Sequence, residues 1–318
     1  MFAALDLGTN NCRLLIAAPQ AGGFRVVDGY SQIVRLGEGL AATGRLSDAA
    51  MERTIGALRV CADKIKAWPI ESARCIATQA CRGSANGAAF LERVERETGL
   101  QFAMITPREE AELAVLGCAA LIDPAADAAL IVDIGGGSTE ISWVKGGHKP
   151  GAVLAWTSLP FGVVTLADQW GDEMDKPGGY QAVVADVRRA LVGFDCASVR
   201  DGLAGGGAHY LGTSGTVTSL AGVRLGLPRY QRSKVDGLWM SVEETRDTIA
   251  KLRAVPRAAR AKNPCIGPDR ADLVAPGAAI LEAIFDTWGA DRIRVADRGL
   301  REGVLSILMA ESASRRGA

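Results

Sequence analysis

Two glycine-rich turns, each placed directly after an apolar run that ends in an aspartate, constrain this chain more than any other feature. The first reads Asp6-Leu7-Gly8-Thr9-Asn10-Asn11, and the second reads Asp133-Ile134-Gly135-Gly136-Gly137-Ser138-Thr139. Glycines let a backbone turn tightly and bring several N–H groups onto one anion, while a nearby carboxylate can hold a cation that screens the anion. One such turn is usually a plain hairpin. Two of them, each followed by another apolar run, indicate a phosphate clamp made of two similar halves.

The polar residues of these turns leave two interpretations open. Asp6 and Asp133 can simply cap their turns, but their matching positions favour binding of a divalent cation. The hydroxyl and amide side chains either satisfy the turns or donate hydrogen bonds to phosphate; these residues are Thr9, Asn10, Asn11, Ser138 and Thr139.

A third glycine-rich turn, Gly212-Thr213-Ser214-Gly215-Thr216, leads into a predicted helix. It is typical either of another phosphate site at a helix N-terminus or of ordinary helix capping by Ser214.

An arginine and a group of glutamates are candidates for catalysis. Arg82 follows a predicted strand end, where its planar guanidinium either binds phosphate oxygens or lies in a solvated loop. Thr106 and the proline after it predict a helix start, which places Glu109, Glu110 and Glu112 in the first turns of that helix. A glutamate there either stabilises the helix dipole or takes a proton from an attacking water.

Composition excludes several functional classes. Net charge is zero, so no overall field attracts nucleic acid, and no apolar run approaches the roughly 18 residues that span a membrane. Seven cysteines without a C-x-x-C pair favour reduced thiols over disulfides or zinc, and only two histidines are present, His148 and His209. No secretion signal is visible at the N-terminus. We therefore expect a cytoplasmic protein with neither a membrane nor a nucleic-acid partner.

The apolar patterns predict the same order of elements in both halves of the chain. Strands are predicted over residues 3–7, 12–18, 24–36, 73–78 and 102–105, and again over 130–133, 139–144, 152–156, 209–211 and 292–296. Helices are predicted from about 47, over 88–98 and from 107, then from about 162, 179 and 215, over 271–288 and from 300. This order indicates an α/β protein with two domains, 1–124 and 125–298, which contain mixed sheets and enclose a cleft.

With these motifs in view, the chain resembles the exopolyphosphatase/guanosine pentaphosphate phosphohydrolase family of the actin-like ATPase (ribonuclease H-like) superfold. The resemblance covers nearly the whole chain, in the short two-domain form. It is carried by residues 6–10, 77–82, 109–111, 133–138, 161–163, 212–216 and 298–303. It implies that the last helix, about 299–313, packs back on the first domain, and that the protein is a homodimer.

The resemblance also implies an activity. It implies hydrolysis of the terminal phosphoanhydride of inorganic polyphosphate with release of orthophosphate, or conversion of guanosine pentaphosphate to the tetraphosphate. Glu110 would position the water and Arg82 would contact the phosphoryl group. The glycine turns would bind the phosphates with Mg²⁺ or another divalent cation at Asp6 and Asp133. Many members carry other residues where this chain has Asn11-Cys12-Arg13, and Arg13 is expected to add a phosphate ligand here.

Two rival classes share the superfold. Small-molecule kinases of this length typically carry a cysteine-rich zinc motif, which this sequence lacks. A non-catalytic protein that only binds guanosine tetra- or pentaphosphate would gain nothing from Glu110 beside a polyanion. Polyphosphate and guanosine pentaphosphate both present a terminal phosphoanhydride, so both stay open as substrates.

Overall fold

Residues 1–146, 152–194 and 197–317 are described by a computed structural model, in which backbone contacts separate two units. The first unit is Met1–Gly117 together with Leu300–Ala318, and the second is Cys118–Gly299. The predicted boundary at 124/125 therefore lies a few residues inside the second unit. The predicted cleft stays a prediction. Within the described ranges, no helix is both long and apolar enough to cross a membrane.

The strands alternate with helices along the chain. They are β1 (Phe2–Leu7), β2 (Asn11–Gln20), β3 (Gly23–Ile33), β4 (Ser72–Ala77), β5 (Phe102–Met104), β6 (Ala128–Ile134), β7 (Thr139–Lys145), β8 (Val153–Leu159), β9 (Ala208–Thr213), β10 (Trp239–Ser241) and β11 (Arg292–Ala296).

The last helix of the chain belongs to the first unit. In chain order the helices are α1 (Leu40–Thr43), α2 (Asp48–Lys66), α3 (Gln79–Arg82), α4 (Gly87–Thr98), α5 (Pro107–Cys118), α6 (Val163–Trp170), α7 (Gly179–Leu191), α8 (Ala197–Ala204), α9 (Gly215–Arg224), α10 (Arg232–Val235), α11 (Val242–Arg253), α12 (Arg257–Ala261), α13 (Val274–Trp288) and α14 (Leu300–Gly317). Short 3₁₀ turns lie at Ala119–Leu121, Gly171–Asp175, Val192–Phe194 and Pro268–Arg270.

The first unit contains a mixed sheet in the order β3-β2-β1-β4-β5. Strands β1 to β3 form the predicted antiparallel meander, and β4 and β5 run parallel to β1. The predicted end of the third strand at residue 36 is wrong, because β3 stops at Ile33. The next two amides, of Val34 and Arg35, instead donate to the carbonyl of Asn10 at 2.9 and 3.0 Å. This segment therefore leaves the sheet in order to hold the first glycine turn.

The second unit repeats this arrangement in the order β10-β11-β9-β6-β7-β8. Strands β6 to β8 form an antiparallel meander, and β9 and β11 run parallel to β6. Strand β10, which pairs antiparallel with β11 at the sheet edge, and helix α11 after it were not predicted from the sequence. Both glycine turns thus join the first two strands of equivalent sheets.

Successive side chains of β1 point to opposite faces of the first sheet, and different helices cover the two faces. Leu5 and Leu7 face a core that includes α2 and α4. Phe2 and Ala4 face a second core, to which α14 contributes Val304. Asp6 has the same parity as Phe2 and Ala4, so its side chain points to the face that α14 covers.

Candidate active site

The carboxyl ends of three parallel strands gather the candidate residues of the first unit. Leu7, Ala77 and Met104 end β1, β4 and β5 in register. The first glycine turn, the short helix α3 with Arg82, and helix α5 with Glu110 begin directly after these ends. This edge of an open α/β sheet is where ligands generally bind.

The cap of α5 separates the three glutamates by role. The Thr106 hydroxyl accepts from the Glu109 amide at 3.2 Å, and the Glu109 carboxylate accepts from the Thr106 amide at 2.8 Å. These contacts form a capping box, and hydrogen bonds from the Thr106 amide and hydroxyl lower the pKa of Glu109. Glu112 is exposed and pairs with Arg108 at 2.9 Å. Glu109 and Glu112 therefore stabilise the helix. Glu110 has no such role in the cap and is only 8% exposed.

Glu110 and Arg82 form an ion pair at this edge. Arg82 Nη2 lies 3.1 Å from Glu110 Oε2. The same Nη2 donates to Gln79 Oε1 at 2.8 Å, and Nη1 donates to the carbonyl of Ile105 at 2.6 Å. The guanidinium is thereby fixed in plane beside a carboxylate that is largely withdrawn from water.

The first glycine turn carries polar atoms that other described residues do not satisfy. The turn closes through Gly8 N donating to the Asn11 carbonyl at 2.9 Å. Thr9 Oγ1, Asn10 Oδ1 and Asn11 Oδ1 are buried, and no hydrogen-bond partner for them occurs among the described residues. The amides of Thr9 and Asn10 likewise have no acceptor there. Buried polar groups without a protein partner are usually satisfied by water, an ion or a ligand.

Charged residues surround Asp6 on the face that α14 covers. Asp6 and Arg13 are cross-strand partners in the β1–β2 ladder. Removal from water raises the pKa of Asp6, while Arg13 and then Arg301 act in the opposite direction and Glu302 adds to the rise. Arg13 therefore lies beside Asp6, and its role as a phosphate ligand stays a prediction.

The second glycine turn is built on a very close approach of Gly162. Gly135 N donates to the Ser138 carbonyl at 2.9 Å, and amides at the start of α6 donate to the carbonyls of Gly135 and Gly136. A Cβ at residue 162 would lie 2.3 Å from the backbone of Gly136, so only glycine fits. The amides of Gly136 and Gly137 have no acceptor in the described part of the chain. Amides arranged in this way suit an anion, and the phosphate role of the turn stays a prediction.

Asp133 lies opposite a second acid, Glu140, which was not among the predicted site residues. Asp133 and Glu140 face each other across the β6–β7 ladder and so project from the same side of the sheet. Glu140 is 3% exposed and accepts from Ser158 Oγ at 2.8 Å. An acid directly after the second turn was the signal available in the sequence. Thr139 is fully buried and donates to the Phe161 carbonyl at 2.7 Å, so its hydroxyl hydrogen serves the fold.

The third glycine turn is backbone-strained. Ser214 has φ of 99° and caps α9 by accepting from the Thr216 amide at 3.3 Å. Such a conformation costs a non-glycine residue about 1–3 kcal/mol and is concentrated at ligand sites. Thr216 is packed so closely against Gly277 that a Cβ there would lie 2.3 Å from its hydroxyl. The turn also contacts the segment after β11, because Thr213 Oγ1 donates to the Arg298 carbonyl at 2.6 Å.

The predicted site residues therefore fall into two groups. The first unit brings together Asp6, Gly8, Thr9, Asn10, Asn11, Arg13, Arg82 and Glu110. The second unit brings together Asp133, Gly135, Gly136, Gly137, Ser138, Thr139, Gly212, Ser214, Gly215 and Thr216, at the carboxyl ends of the parallel strands β6 and β9.

The carboxylates fit a magnesium ion that completes its shell with other oxygens. Within the described ranges, no three His, Cys, Asp or Glu side chains form a metal-binding group. Mg²⁺ is commonly held by one or two carboxylates together with water and substrate phosphates. Asp6, three residues before the buried and unsatisfied Thr9 Oγ1, fits this description, as does Asp133 opposite Glu140.

Two equivalent mixed sheets, each with a phosphate-type turn between its first two strands, define a protein of the actin-like ATPase fold class. The model of the Ppx/GppA phosphatase family matches residues 15–311, and the chain belongs to that family.

The relatives that match this chain differ from one another in length and in the activity for which they are named. Exopolyphosphatase 2 of Mycobacterium tuberculosis is 30% identical, with 95% of this chain and 96% of that protein covered. Guanosine-5'-triphosphate,3'-diphosphate pyrophosphatase of Aeromonas hydrophila is 29% identical over 96% of this chain, which spans only 58% of that relative. The crystal structure of the Aquifex aeolicus family member superposes with a TM-score of 0.79, at 29% identity and with 98% of each chain covered.

Proposed function

We propose that this protein is an exopolyphosphatase, which hydrolyses the terminal phosphoanhydride of inorganic polyphosphate and releases orthophosphate. The observation that carries the proposal is the buried Glu110–Arg82 pair at the strand edge that also holds the first glycine turn. A carboxylate fixed beside a phosphate-binding turn is suited to take a proton from water, whereas a purely binding site for polyanions has no use for it. The likeness to exopolyphosphatase 2 over nearly the full length of both chains supports this choice of substrate.

The proposed reaction uses residues in distinct roles. The water oxygen attacks the terminal phosphorus while Glu110 accepts the water proton, and the bond from that phosphorus to the bridging oxygen breaks. The amides of the first turn and the guanidinium of Arg13 hold phosphate oxygens, and Arg82 keeps Glu110 ionised and oriented. Asp6 and Asp133, the latter with Glu140, would hold divalent cations. Such a cation would neutralise charge that develops on the phosphate oxygens.

Guanosine pentaphosphate is the alternative substrate, because the Aeromonas relative is named for that activity. The reaction would be the same bond cleavage on a 5′-triphosphate. We also propose that the protein forms a homodimer with a second copy of the chain. We propose that it binds neither nucleic acid nor a membrane. We also propose a cytoplasmic location.

Phosphate release from long polyphosphate and from guanosine pentaphosphate, measured side by side with Mg²⁺, tests the proposal. Glu110→Gln is expected to lower turnover by about 10²–10⁴-fold, the usual contribution of a general base. Polyphosphate binding should persist, because the variant removes a negative charge. Glu112→Gln is the matched control, since this glutamate is exposed on the same helix, and it should retain turnover.

Three results would contradict the proposal. Faster release from guanosine pentaphosphate than from polyphosphate would make the alternative correct. Tight binding of either compound without phosphate release would indicate a sensor, and full activity in excess chelator would exclude the cation sites.

A further inference from the structure

Gln79 connects the first turn of α3 to the proposed catalytic pair, and the sequence motif that contains it, residues 77–82, gave it no role of its own. It lies three residues before Arg82, so the two side chains share one face of the short helix. Arg82 Nη2 donates to Gln79 Oε1 at 2.8 Å and contacts Glu110 Oε2 at 3.1 Å. The two hydrogens of this nitrogen are thus divided between the amide oxygen and the carboxylate.

The orientation of the Gln79 amide follows from chemistry. Arginine offers only donors, so the atom that faces Nη2 must be the oxygen. The amide nitrogen is then turned toward Gly83, where a Cβ would lie 3.1 Å from it. The glycine at the end of α3 therefore leaves room for this orientation.

Gln79 is one of three acceptors that surround the Arg82 guanidinium. The Ile105 carbonyl holds Nη1 at 2.6 Å, and Glu110 holds Nη2 from one side. Without Gln79, the free Nη2 hydrogen would turn toward water or toward a substrate phosphate and draw the guanidinium away from Glu110. A largely buried carboxylate from which a nearby cation moves away becomes easier to protonate, because burial disfavours its charged form.

We propose that Gln79 is a positioning residue, which acts through Arg82 to keep Glu110 ionised and correctly oriented for hydrolysis. This inference rests on the proposed function. It concerns an amide whose contacts reach the reacting groups only through the arginine.

The test compares Gln79→Met, which keeps side-chain length but removes the acceptor, with Gln79→Glu, which restores an acceptor oxygen. Gln79→Met should lower kcat for phosphate release by about 3–10-fold, with KM for polyphosphate within about twofold of wild type. The acid limb of its pH–rate profile should move to higher pH. Gln79→Glu should recover most of the lost kcat. Gln101→Met, at an exposed glutamine of the same unit, is the matched control and should match wild type.

A double-variant comparison separates this role from a structural one. In a Glu110→Gln background, Gln79→Met should have no further effect on the residual rate, because the group through which it acts is gone. The inference is overturned if Gln79→Met keeps the wild-type kcat and pH profile, if only KM changes, or if the two substitutions lower the rate independently. A wild-type protein that releases phosphate from neither substrate would instead refute the proposed function.

Discussion

Replacing Gly162 by alanine is expected to displace the second glycine turn. The added Cβ would lie 2.3 Å from the carbonyl carbon and oxygen of Gly136 and 2.4 Å from the nitrogen of Gly137. Cβ atoms essentially never approach other atoms within 3.0 Å, so the two backbones must separate by about 0.7 Å. The atoms that clash with the added Cβ belong to the backbone, so no change of side-chain rotamer can relieve the clash.

The separation would stretch two hydrogen bonds, and their loss gives the expected change in the free energy of unfolding. Val163 N and Val164 N donate to the carbonyls of Gly135 and Gly136 at 3.0 and 2.8 Å. A shift of about 0.7 Å stretches both beyond normal hydrogen-bond length. At about 0.5–1.5 kcal/mol each, their loss should lower the free energy of unfolding by about 1–3 kcal/mol. Misplacement of a phosphate-binding turn on this scale should also lower turnover by about 10–100-fold.

Urea unfolding and phosphate release, measured on the same preparations, provide the assay. Gly56→Ala is the control, because the position lies in the middle of α2 and a Cβ there meets nothing within 4 Å. It should keep turnover and gain about 0.4–1 kcal/mol of stability. Wild-type turnover in Gly162→Ala would refute the reasoning, since it would mean that the turn can move without affecting the reaction.

Two further predictions concern buried groups outside the proposed site. His209 accepts from the Asp123 amide through Nε2, and burial lowers its pKa below the usual value near 6.5. The unfolded chain therefore binds the proton first, so stability should fall as pH drops below about 6.5, by up to ~1.4 kcal/mol per pH unit. Urea unfolding at pH 7.5 and 5.5 should show a smaller loss for His209→Gln, and an equal loss would contradict this. Burial raises the pKa of Cys75 and of Cys81 to about 12, so iodoacetamide should label neither thiol at pH 8 until the chain is unfolded, as mass spectrometry can show.

Local patterns in the sequence identified the parts of the fold that depend on neighbouring residues. The meander strands, the glycine turns and the Thr106 cap were all predicted correctly, because their signals lie within a few positions of one another. The end of β3 was missed since the competing partner, the carbonyl of Asn10, lies more than twenty residues earlier. Strand β10 was missed because three residues carry too little periodicity to be recognised.

The candidate site shows the same division between local and distant information. Sequence selected Arg82 and Glu110 separately, but their ion pair joins residues 28 positions apart through strand order. It could not show that Gln79 shares the guanidinium with Glu110. This fact depends on how the helix after one strand and the helix after another meet in space. The phosphate roles of the glycine turns stay predictions.

The membership of α14 in the first unit has a consequence for biosynthesis. Phe2 and Leu308 belong to one apolar core, yet the ribosome makes them more than 300 residues apart. Until α14 emerges, one face of the first sheet stays uncovered, while the second unit, whose chain is continuous, can already be complete. The usual vectorial order, in which the N-terminal part finishes first, is therefore reversed here. Nascent chains that stop before residue 300 should present this uncovered face to chaperones.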